Sequence, residues 1–178
     1  MNNYLSQSVY WTELHHQEWQ LYLAATSKGL CYVSSNSAPF EELASWAARR
    51  MPHASLIQAD DQLHLYGKEI AEYLEGRRDQ FTISFDLQGT AFQLEVWHAL
   101  LKIPYGTTCS YSDVAERIGK PSASRAVGTA IGANPLLIRV PCHRVIGKNG
   151  ALTGYRGGID MKTSLLRLEQ EGTLHDAG

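Results

Sequence analysis

The spacing of apolar residues divides the chain into a first half rich in strand patterns and a second half rich in helix patterns. Three early segments alternate apolar with polar positions and contain many Val, Tyr, Trp, Leu and Thr residues, which predicts an antiparallel meander. They are Ser8–Leu14, Trp19–Thr26 and Leu30–Ser35. Helical spacing follows at residues 38–51 and 62–75, and an alternating run at residues 81–85 predicts one more strand.

The second half contains four helical patterns separated by glycine and proline. They cover residues 90–101, 110–119, 122–133 and 161–171. Ser110 with Asp113 three residues later predicts an N-cap, and Gly119 predicts the end of that helix. Between the last two helices, the apolar run Leu136–Val140 predicts a buried strand, and the glycine-rich segment 148–158 predicts a mobile loop.

These elements predict an α/β (α+β) protein built of two units. The turn-forming segment 86–89 is the expected boundary, which gives an N-terminal α/β scaffold domain at residues 1–85 and a mainly helical C-terminal domain at residues 86–178. The helices at 110–119 and 122–133 are joined by a tight turn, so they are a helix-turn-helix candidate. By itself that pattern is weak, since many helical hairpins bind nothing.

Charge is unevenly distributed along the chain. The formal net charge of −2 hides a first half, residues 1–84, with 6 Lys and Arg against 10 Asp and Glu, and a second half, residues 85–178, with 10 against 8. Residues 117–156 contain no acidic residue, and their basic residues are Arg117, Lys120, Arg125, Arg139, Arg144, Lys148 and Arg156. This local basic stretch suggests a phosphate-bearing partner, although chance fluctuation would produce such a run as well.

Other features limit the class of protein. No apolar run is long enough to cross a bilayer, and the start Met1–Tyr4 lacks the basic and apolar regions of a signal peptide, so we expect no membrane association. Three cysteines without paired spacing, Cys31, Cys109 and Cys142, favour a reduced, cytoplasmic protein. The sequence offers no four-ligand set at zinc-binding spacing, and we expect no metal.

The most distinctive chemistry is expected at Cys142. Pro141 fixes its own φ and restricts Val140 to extended geometry, so the backbone that carries the cysteine is held in place. A cysteine in an apolar wall is ordinarily a small hydrophobe, and that structural interpretation is the common one. Here His143 and Arg144 follow at once, which places a base and a positive charge near the thiol and favours the thiolate.

The helix at residues 122–133 has an unusual composition. It holds small residues almost throughout, including Gly128 and Gly132, and each glycine costs about 1 kcal/mol relative to alanine in a helix. Such a cost indicates that something approaches the helix backbone closely. Either another helix packs there, or the helix enters a narrow groove with Arg125 as its one long side chain.

The segment Pro141–Val145, Pro-Cys-His-Arg-Val, resembles the active-site motif of the O6-alkylguanine-DNA alkyltransferases, the methylated-DNA–protein-cysteine methyltransferases. Further matches to that family follow in order within residues 89–171, at Tyr111, Arg125–Gly128, Asn134–Pro135, Gly154–Tyr155 and Glu169. The resemblance implies an RNase H-like N-terminal domain, which the first half matches only in length and strand–helix character. It also implies direct repair of DNA.

The resemblance assigns a role to each catalytic position. Cys142 would take the alkyl group, His143 would deprotonate it through a water, and Glu169 would orient and charge-balance the histidine. Tyr111 would donate a proton to the leaving purine and help to rotate the 3′ phosphate. Asn134 would tie the recognition helix to the reactive loop.

The remaining implied roles concern binding. The recognition helix would enter the minor groove, and Arg125 would fill the gap left by an extruded nucleotide. The implied DNA-contacting residues are Ser110, Tyr111, Arg125, Ala126 and Gly128. The wall and lid of the base pocket would be Val145, Tyr155, Arg156 and Gly157, with the Cys142 and Val145 carbonyls accepting from the exocyclic amine of guanine. Arg156 is larger than the residue some relatives carry, which predicts a pocket narrowed toward methyl adducts.

The implied reaction is the irreversible transfer of an alkyl group from O6-alkylguanine, and also from O4-alkylthymine, to Cys142. Each molecule would act once, since water and thiols do not readily cleave the resulting thioether. No cofactor is expected, because the damaged DNA is itself the donor. The expected partner is double-stranded DNA, bound by a monomer.

Three other interpretations stay open on the sequence alone. An alkyltransferase-like protein would bind lesions without repairing them, although those relatives lack the reactive cysteine. A cysteine hydrolase would use Cys142, His143 and Glu169, but would leave the slim helix and the basic stretch unexplained. The third is a plain DNA-binding module with a structural cysteine.

Overall fold

The structure is a computed structural model, and it describes residues 7–176. Its larger sheet has the order β3-β2-β1-β4, with antiparallel pairing except for the parallel pair β1–β4. The strands are β1 (Ser8–His16), β2 (Trp19–Thr26), β3 (Gly29–Val33) and β4 (Ser55–Gln58). The predicted meander is confirmed. The sequence pattern does not predict strand β4, because the strand has only four residues and is too polar. The chain start used to argue against a signal peptide lies outside the described residues.

Each of the six helical patterns corresponds to a helix. The helices are α1 (Phe40–Arg50), α2 (His64–Leu74), α3 (Ala91–Leu100), α4 (Tyr111–Arg117), α5 (Ser124–Gly132) and α6 (Ile159–Asp176). The predicted cap of α4 is confirmed, because Ser110 and Asp113 each accept a hydrogen bond from the other's backbone N–H. Gly119 follows α4 with a φ of 72°, a conformation that favours glycine.

The strand predicted at residues 81–85 is wrong. Only Phe85 makes an isolated bridge there, with Leu30. The backbone N–H groups of Thr82 and Ile83 donate instead to the carboxylate of Glu69, at 2.9 and 3.3 Å. Side-chain capping therefore takes the place of a ladder in this segment.

The buried strand predicted from Leu136 to Val140 is also wrong, although the burial is correct. The segment forms turns, with the Val140 N–H donating to the Leu136 carbonyl at 3.0 Å. Ile138 adopts a φ of 69°, which a β-branched residue rarely does and no regular strand contains. Regular strand pairing resumes in a two-stranded parallel sheet, β5 (Cys109–Ser110) with β6 (Val145–Ile146).

One hydrophobic cluster crosses the predicted domain boundary. It combines side chains of β2, β3 and α2 with side chains of α3, α4, α5 and the segment before Cys142. Trp97 of α3 is fully buried in it, and its ring nitrogen donates to the Ala130 carbonyl of α5 at 2.8 Å. A smaller cluster lies between α1 and the N-terminal sheet. One face of α5 is thereby held against the core.

Among residues 7–176, no helix combines the length and the apolar character needed to cross a membrane.

Candidate functional site

Cys142 begins a short 3-10 helix, Cys142–Arg144, and its side chain is only 1% exposed. Its Sγ accepts a hydrogen bond from Asn134 Nδ2 at 3.1 Å. Burial raises the pKa of the thiol, and the Asn134 hydrogen bond with the charges of Arg156 and Lys162 offsets this only in part. The resting side chain is therefore a neutral thiol that needs a base before it can act as a nucleophile.

Asn134 follows the end of α5 and braces the loop that carries Cys142. Besides its bond to Sγ, its Nδ2 lies 3.1 Å from the Val140 carbonyl, and its Oδ1 accepts from the Leu136 N–H at 2.9 Å. The side chain is fully buried and uses both donor and acceptor. Asn134 thus links the end of α5 to the loop that carries Cys142, and its hinge role stays a prediction.

His143 is fully buried and faces two different surroundings. Its Nε2 lies 2.5 Å from Glu169 Oε2, whereas its Nδ1 has no hydrogen-bond partner among residues 7–176. An ionised carboxylate only accepts, so the ring hydrogen belongs on Nε2 and the lone pair on Nδ1. Burial lowers the pKa of His143 despite the opposing bond and charge of Glu169. The imidazole is therefore neutral and able to take a proton.

Glu169, on α6, is the most heavily hydrogen-bonded carboxylate of the site. Arg144 donates to it twice, from Nε to Oε1 at 2.7 Å and from Nη2 to Oε2 at 3.1 Å. The Gly106 N–H reaches Oε1 at 3.0 Å, and the Tyr73 hydroxyl reaches Oε2 at 2.5 Å. Burial alone would raise the pKa of Glu169, but the bonds and charges of His143 and Arg144 hold it well below its ordinary value. We call these five residues the Glu169 cluster.

Tyr73 is a member of this cluster that the sequence analysis missed. It lies on α2, within residues 1–85, where the sequence analysis predicts a scaffold domain and names no site residue. Its hydroxyl also lies 3.3 Å from His143 Nε2. The available signal was general: a tyrosine on the buried face of a helix needs a partner for its hydroxyl.

Lys162 on α6 is a second residue that the sequence analysis missed. It is fully buried, and its Nζ donates to the Val145 carbonyl at 2.6 Å and to the Thr153 carbonyl at 3.0 Å. Burial lowers the pKa of its ammonium group. The two carbonyls predicted to bind guanine are thus already engaged, since the Cys142 carbonyl accepts from the Val145 N–H. A carbonyl has two lone pairs, so this does not exclude a second donor.

Two of the predicted pocket residues, Tyr155 and Gly157, pack against each other. Tyr155 is buried, and its hydroxyl has no partner among residues 7–176. Burial raises the pKa of Tyr155 well above its ordinary value, and a Cys142 thiolate would raise it further, so the phenol stays protonated. Gly157 is required sterically, because a Cβ there would lie 2.6 Å from Met161 Sδ and 2.7 Å from the Tyr155 ring. Tyr155 and Gly157 are therefore tightly packed against each other and against Met161.

Arg156, the remaining loop residue, directs its guanidinium to the junction of the two halves. Its Nη2 donates to the Val33 carbonyl at 2.6 Å, and its Nη1 lies 3.0 Å from Glu42. Further acceptors are the Tyr32 hydroxyl and the Asn134 and Pro135 carbonyls. We call Arg156 and its partners the Arg156 cluster. That Arg156 narrows the pocket toward methyl adducts stays a prediction, because its guanidinium is bound at the junction of the two halves.

The outer face of α5 is exposed and carries mostly small residues. Arg125, Ala126 and Gly132 are exposed, and a Cβ at Gly132 would meet no atom within 4 Å. Packing against another helix therefore does not explain Gly132. A Cβ at Gly128 would lie 3.6 Å from the ring of Tyr111, an ordinary contact, and the Tyr111 hydroxyl donates to the Thr153 carbonyl at 3.0 Å. Ser110, the other predicted DNA contact, uses its hydroxyl oxygen as the α4 cap.

Among the described residues, no group of three or more His, Cys, Asp or Glu side chains is arranged to hold a metal ion.

Comparison with known proteins assigns the chain to a family. A protein-family profile described as the DNA-binding domain of 6-O-methylguanine DNA methyltransferase matches residues 91–171. The inducible methylated-DNA–protein-cysteine methyltransferase of Bacillus subtilis is 57% identical over 93% of each chain. The chain belongs to the methylated-DNA–protein-cysteine methyltransferase family. The resemblance seen in its sequence is thereby confirmed.

Solved structures of relatives agree with this membership and with the mixed α/β fold. A crystal structure of the Mycobacterium tuberculosis O6-methylguanine methyltransferase has a TM-score of 0.80 at 38% identity, covering 94% of this chain and 99% of that one. A structure of M. tuberculosis OGT in complex with DNA has a TM-score of 0.74 at 37% identity, covering 93% and 94%.

Proposed function

We propose that this protein repairs DNA by moving the alkyl group of O6-alkylguanine onto its own Cys142, once per molecule. Its family membership supports the reaction class. The observation that carries the assignment to Cys142 is its placement: a buried thiol held by Asn134, followed directly by a neutral histidine that is anchored to Glu169. A merely structural cysteine needs none of these partners.

His143 activates the nucleophile in this proposal. The Cys142 proton passes through a water to His143 Nδ1, the ring nitrogen that has no partner among residues 7–176. The imidazolium that forms keeps its Nε2 hydrogen on Glu169, whose negative charge compensates it. Glu169 thus both orients the His143 ring and compensates its positive charge.

The thiolate then attacks the alkyl carbon attached to guanine O6. A carbon–sulfur bond forms as the carbon–oxygen bond breaks, and the electron pair of the broken bond goes to the purine. Tyr111 supplies a proton to the leaving guanine and is reprotonated from solvent, while His143 releases to solvent the proton that it took from the thiol, so no proton is gained or lost overall. The products are unmodified guanine and S-alkylcysteine, so no cofactor enters the balance. By the same chemistry, O4-alkylthymine is a second substrate.

DNA binding is proposed to use α4 and α5 as a helix-turn-helix. The exposed small residues of α5 let the helix enter the minor groove, and Arg125 at its N-terminal end occupies the space of the extruded nucleotide. Extrusion is required because Cys142 is 1% exposed and a stacked base cannot reach it. The loop at residues 148–158 must also shift in this proposal, because it carries the buried Tyr155 and a base must gain access to the buried Cys142.

The proposal also covers the N-terminal fold, the domain division, the oligomeric state and the localisation. The sheet order β3-β2-β1-β4 with its single parallel pair supports an RNase H-like N-terminal unit. We retain the division into residues 1–85 and 86–178 as a proposal, with the shared hydrophobic cluster as the interface between the two domains. A monomer acting on DNA in the cytoplasm fits this description.

The test is to incubate the protein with a duplex that carries one O6-methylguanine and to map its peptides by mass spectrometry. We expect one added methylene on the peptide that contains Cys142 and at most one restored guanine per protein. Cys31, buried in the N-terminal sheet, is the internal control and should stay unmodified. A Cys142→Ser variant should bind the duplex without restoring guanine.

Other outcomes point to different functions. If the duplex binds but Cys142 stays unmodified, the protein recognises lesions without repairing them. If the duplex does not bind and an amide substrate is turned over repeatedly, the protein is a cysteine hydrolase. An Arg125→Ala variant that binds DNA as tightly as the wild type would remove α5 from the proposed interface.

A further inference from the structure

Tyr73 is a buried group for which the proposed reaction has no task. It is fully buried on α2, in the N-terminal half, and its ring packs against Phe81 and Tyr105. Phenylalanine would serve that packing equally well. The hydroxyl instead donates to Glu169 Oε2 at 2.5 Å and lies 3.3 Å from His143 Nε2.

We propose that Tyr73 is a positioning residue that controls how strongly Glu169 stabilises the protonated form of His143. This inference rests on the proposed function, in which His143 is the base. Three donors, the Tyr73 hydroxyl, the His143 Nε2–H and Arg144 Nη2, share the single acceptor atom Oε2. Each donor draws negative charge from that oxygen, so the phenol weakens the interaction available to an imidazolium.

The buried phenol remains a donor throughout the working pH range. Burial raises the pKa of Tyr73, and the adjacent negative charge of Glu169 raises it further. The other charged groups near His143 are Arg144, which holds Glu169, and Lys162, and both disfavour the imidazolium. Tyr105 faces Tyr73 edge-on at 6.1 Å between ring centroids. None of these groups is altered by a change to the Tyr73 hydroxyl, so the effect of that hydroxyl is separable.

The first test is Tyr73→Phe, which removes one oxygen and keeps the ring. Without the competing donor, Glu169 binds the His143 imidazolium more strongly, and the pKa of His143 rises. The acid limb of the pH–rate profile for single-turnover methyl transfer should move to higher pH. The rate near pH 6 should fall several-fold, while the alkaline plateau stays within about twofold of the wild type.

A second variant makes the opposite prediction and guards against loss of packing. Replacing Tyr73 with 3,5-difluorotyrosine keeps the ring and hydroxyl but makes the phenol a stronger donor, so the acid limb should move to lower pH. Tyr66→Phe, on the same helix and without a hydrogen bond to the Glu169 cluster, is the matched control and should leave the profile unchanged. A packing role alone predicts no opposite shifts.

A readout independent of methyl transfer is the titration of the His143 ring nitrogens, followed by ¹⁵N NMR. We expect the hydrogen on Nε2 in the wild type and a higher pKa in Tyr73→Phe. The inference is overturned if both Tyr73 variants titrate like the wild type, or if both shift in the same direction. If the wild type transfers no methyl group, the proposed function fails, yet this titration still decides whether Tyr73 acts on His143.

Discussion

The Glu169 cluster and the Arg156 cluster connect the same two halves of the chain with opposite charges. In the first, a carboxylate accepts from the donors of Tyr73, His143, Arg144 and Gly106. In the second, a guanidinium donates to acceptors that include three carbonyls and Glu42. The first is nearly sealed from solvent, with Glu169 1% exposed, whereas the Arg156 and Glu42 side chains are 19% and 26% exposed.

The difference in burial decides what each cluster contributes. A charge without contact with water must have all its partners, because water cannot replace one that is lost. A partly exposed charge loses less when a partner is removed, since solvent takes its place. The Glu169 cluster is therefore suited to fixing one protonation state, which a base requires. The Arg156 cluster is suited to holding the loop at residues 148–158 against the N-terminal half.

The largest effect is expected from Glu169→Ala. It leaves the buried Arg144 charge unpaired and removes the acceptor that fixes the His143 ring, so we expect a loss of about 3–5 kcal/mol in the free energy of unfolding. Methyl transfer should fall by about 10²-fold or more, as for loss of an oriented base. Urea unfolding and single-turnover kinetics measure the two effects. A loss no greater than that of an Arg156 variant would remove the contrast between the clusters.

The next effect is a loss of stability at acid pH. Burial lowers the pKa of His143 below its ordinary value of 6.5, so below that pH the unfolded chain binds a proton that the folded protein excludes. Stability should be complete above about pH 6.5 and decline as pH falls, by at most about 1.4 kcal/mol per pH unit. Glu169, whose pKa is also lowered, adds a second decline below its ordinary value of 4.5.

Urea midpoints measured at a series of pH values test this sequence of losses. A His143→Asn variant should lose the upper decline and keep the lower one, since Glu169 retains Arg144. Stability that rises as pH falls from neutral would contradict the assignment of a neutral, buried histidine.

The same two clusters show how far sequence reasoning reaches. Helices and caps follow from local patterns, the motif residues Asn134, Cys142, His143 and Glu169 follow from the family resemblance, and the structure brings these four together. Tyr73 and Lys162 join them through tertiary packing, which spacing along one helix does not encode. The turns at Leu136–Val140 illustrate the same limit, because an apolar run predicts burial but not the backbone geometry that achieves it.

A smaller effect is expected from Arg156→Gln. The substitution removes the charge and several of the bonds to the carbonyls around Asn134, but solvent reaches the site, so we expect a loss of about 1–2 kcal/mol in stability. Hydrogen exchange of the loop at residues 148–158 should increase, because its link to the N-terminal half is weakened. Lys28→Gln, an exposed lysine in the β2–β3 turn, is a control of equal charge change. Unchanged loop exchange would show that Arg156 does not fasten the loop.

The smallest effect is expected from Glu42→Gln. Its ion pair with Arg156, at 3.0 Å, is partly solvated, and the carbonyl acceptors of Val33 and Asn134 remain in place after the change. The new amide still accepts from Arg156 and from the Ser35 hydroxyl through its oxygen. We therefore expect a loss below about 1 kcal/mol and an unchanged pH–rate profile for methyl transfer. A loss as large as that of Glu169→Ala would mean that charge pairing, rather than burial, sets the energies of both clusters.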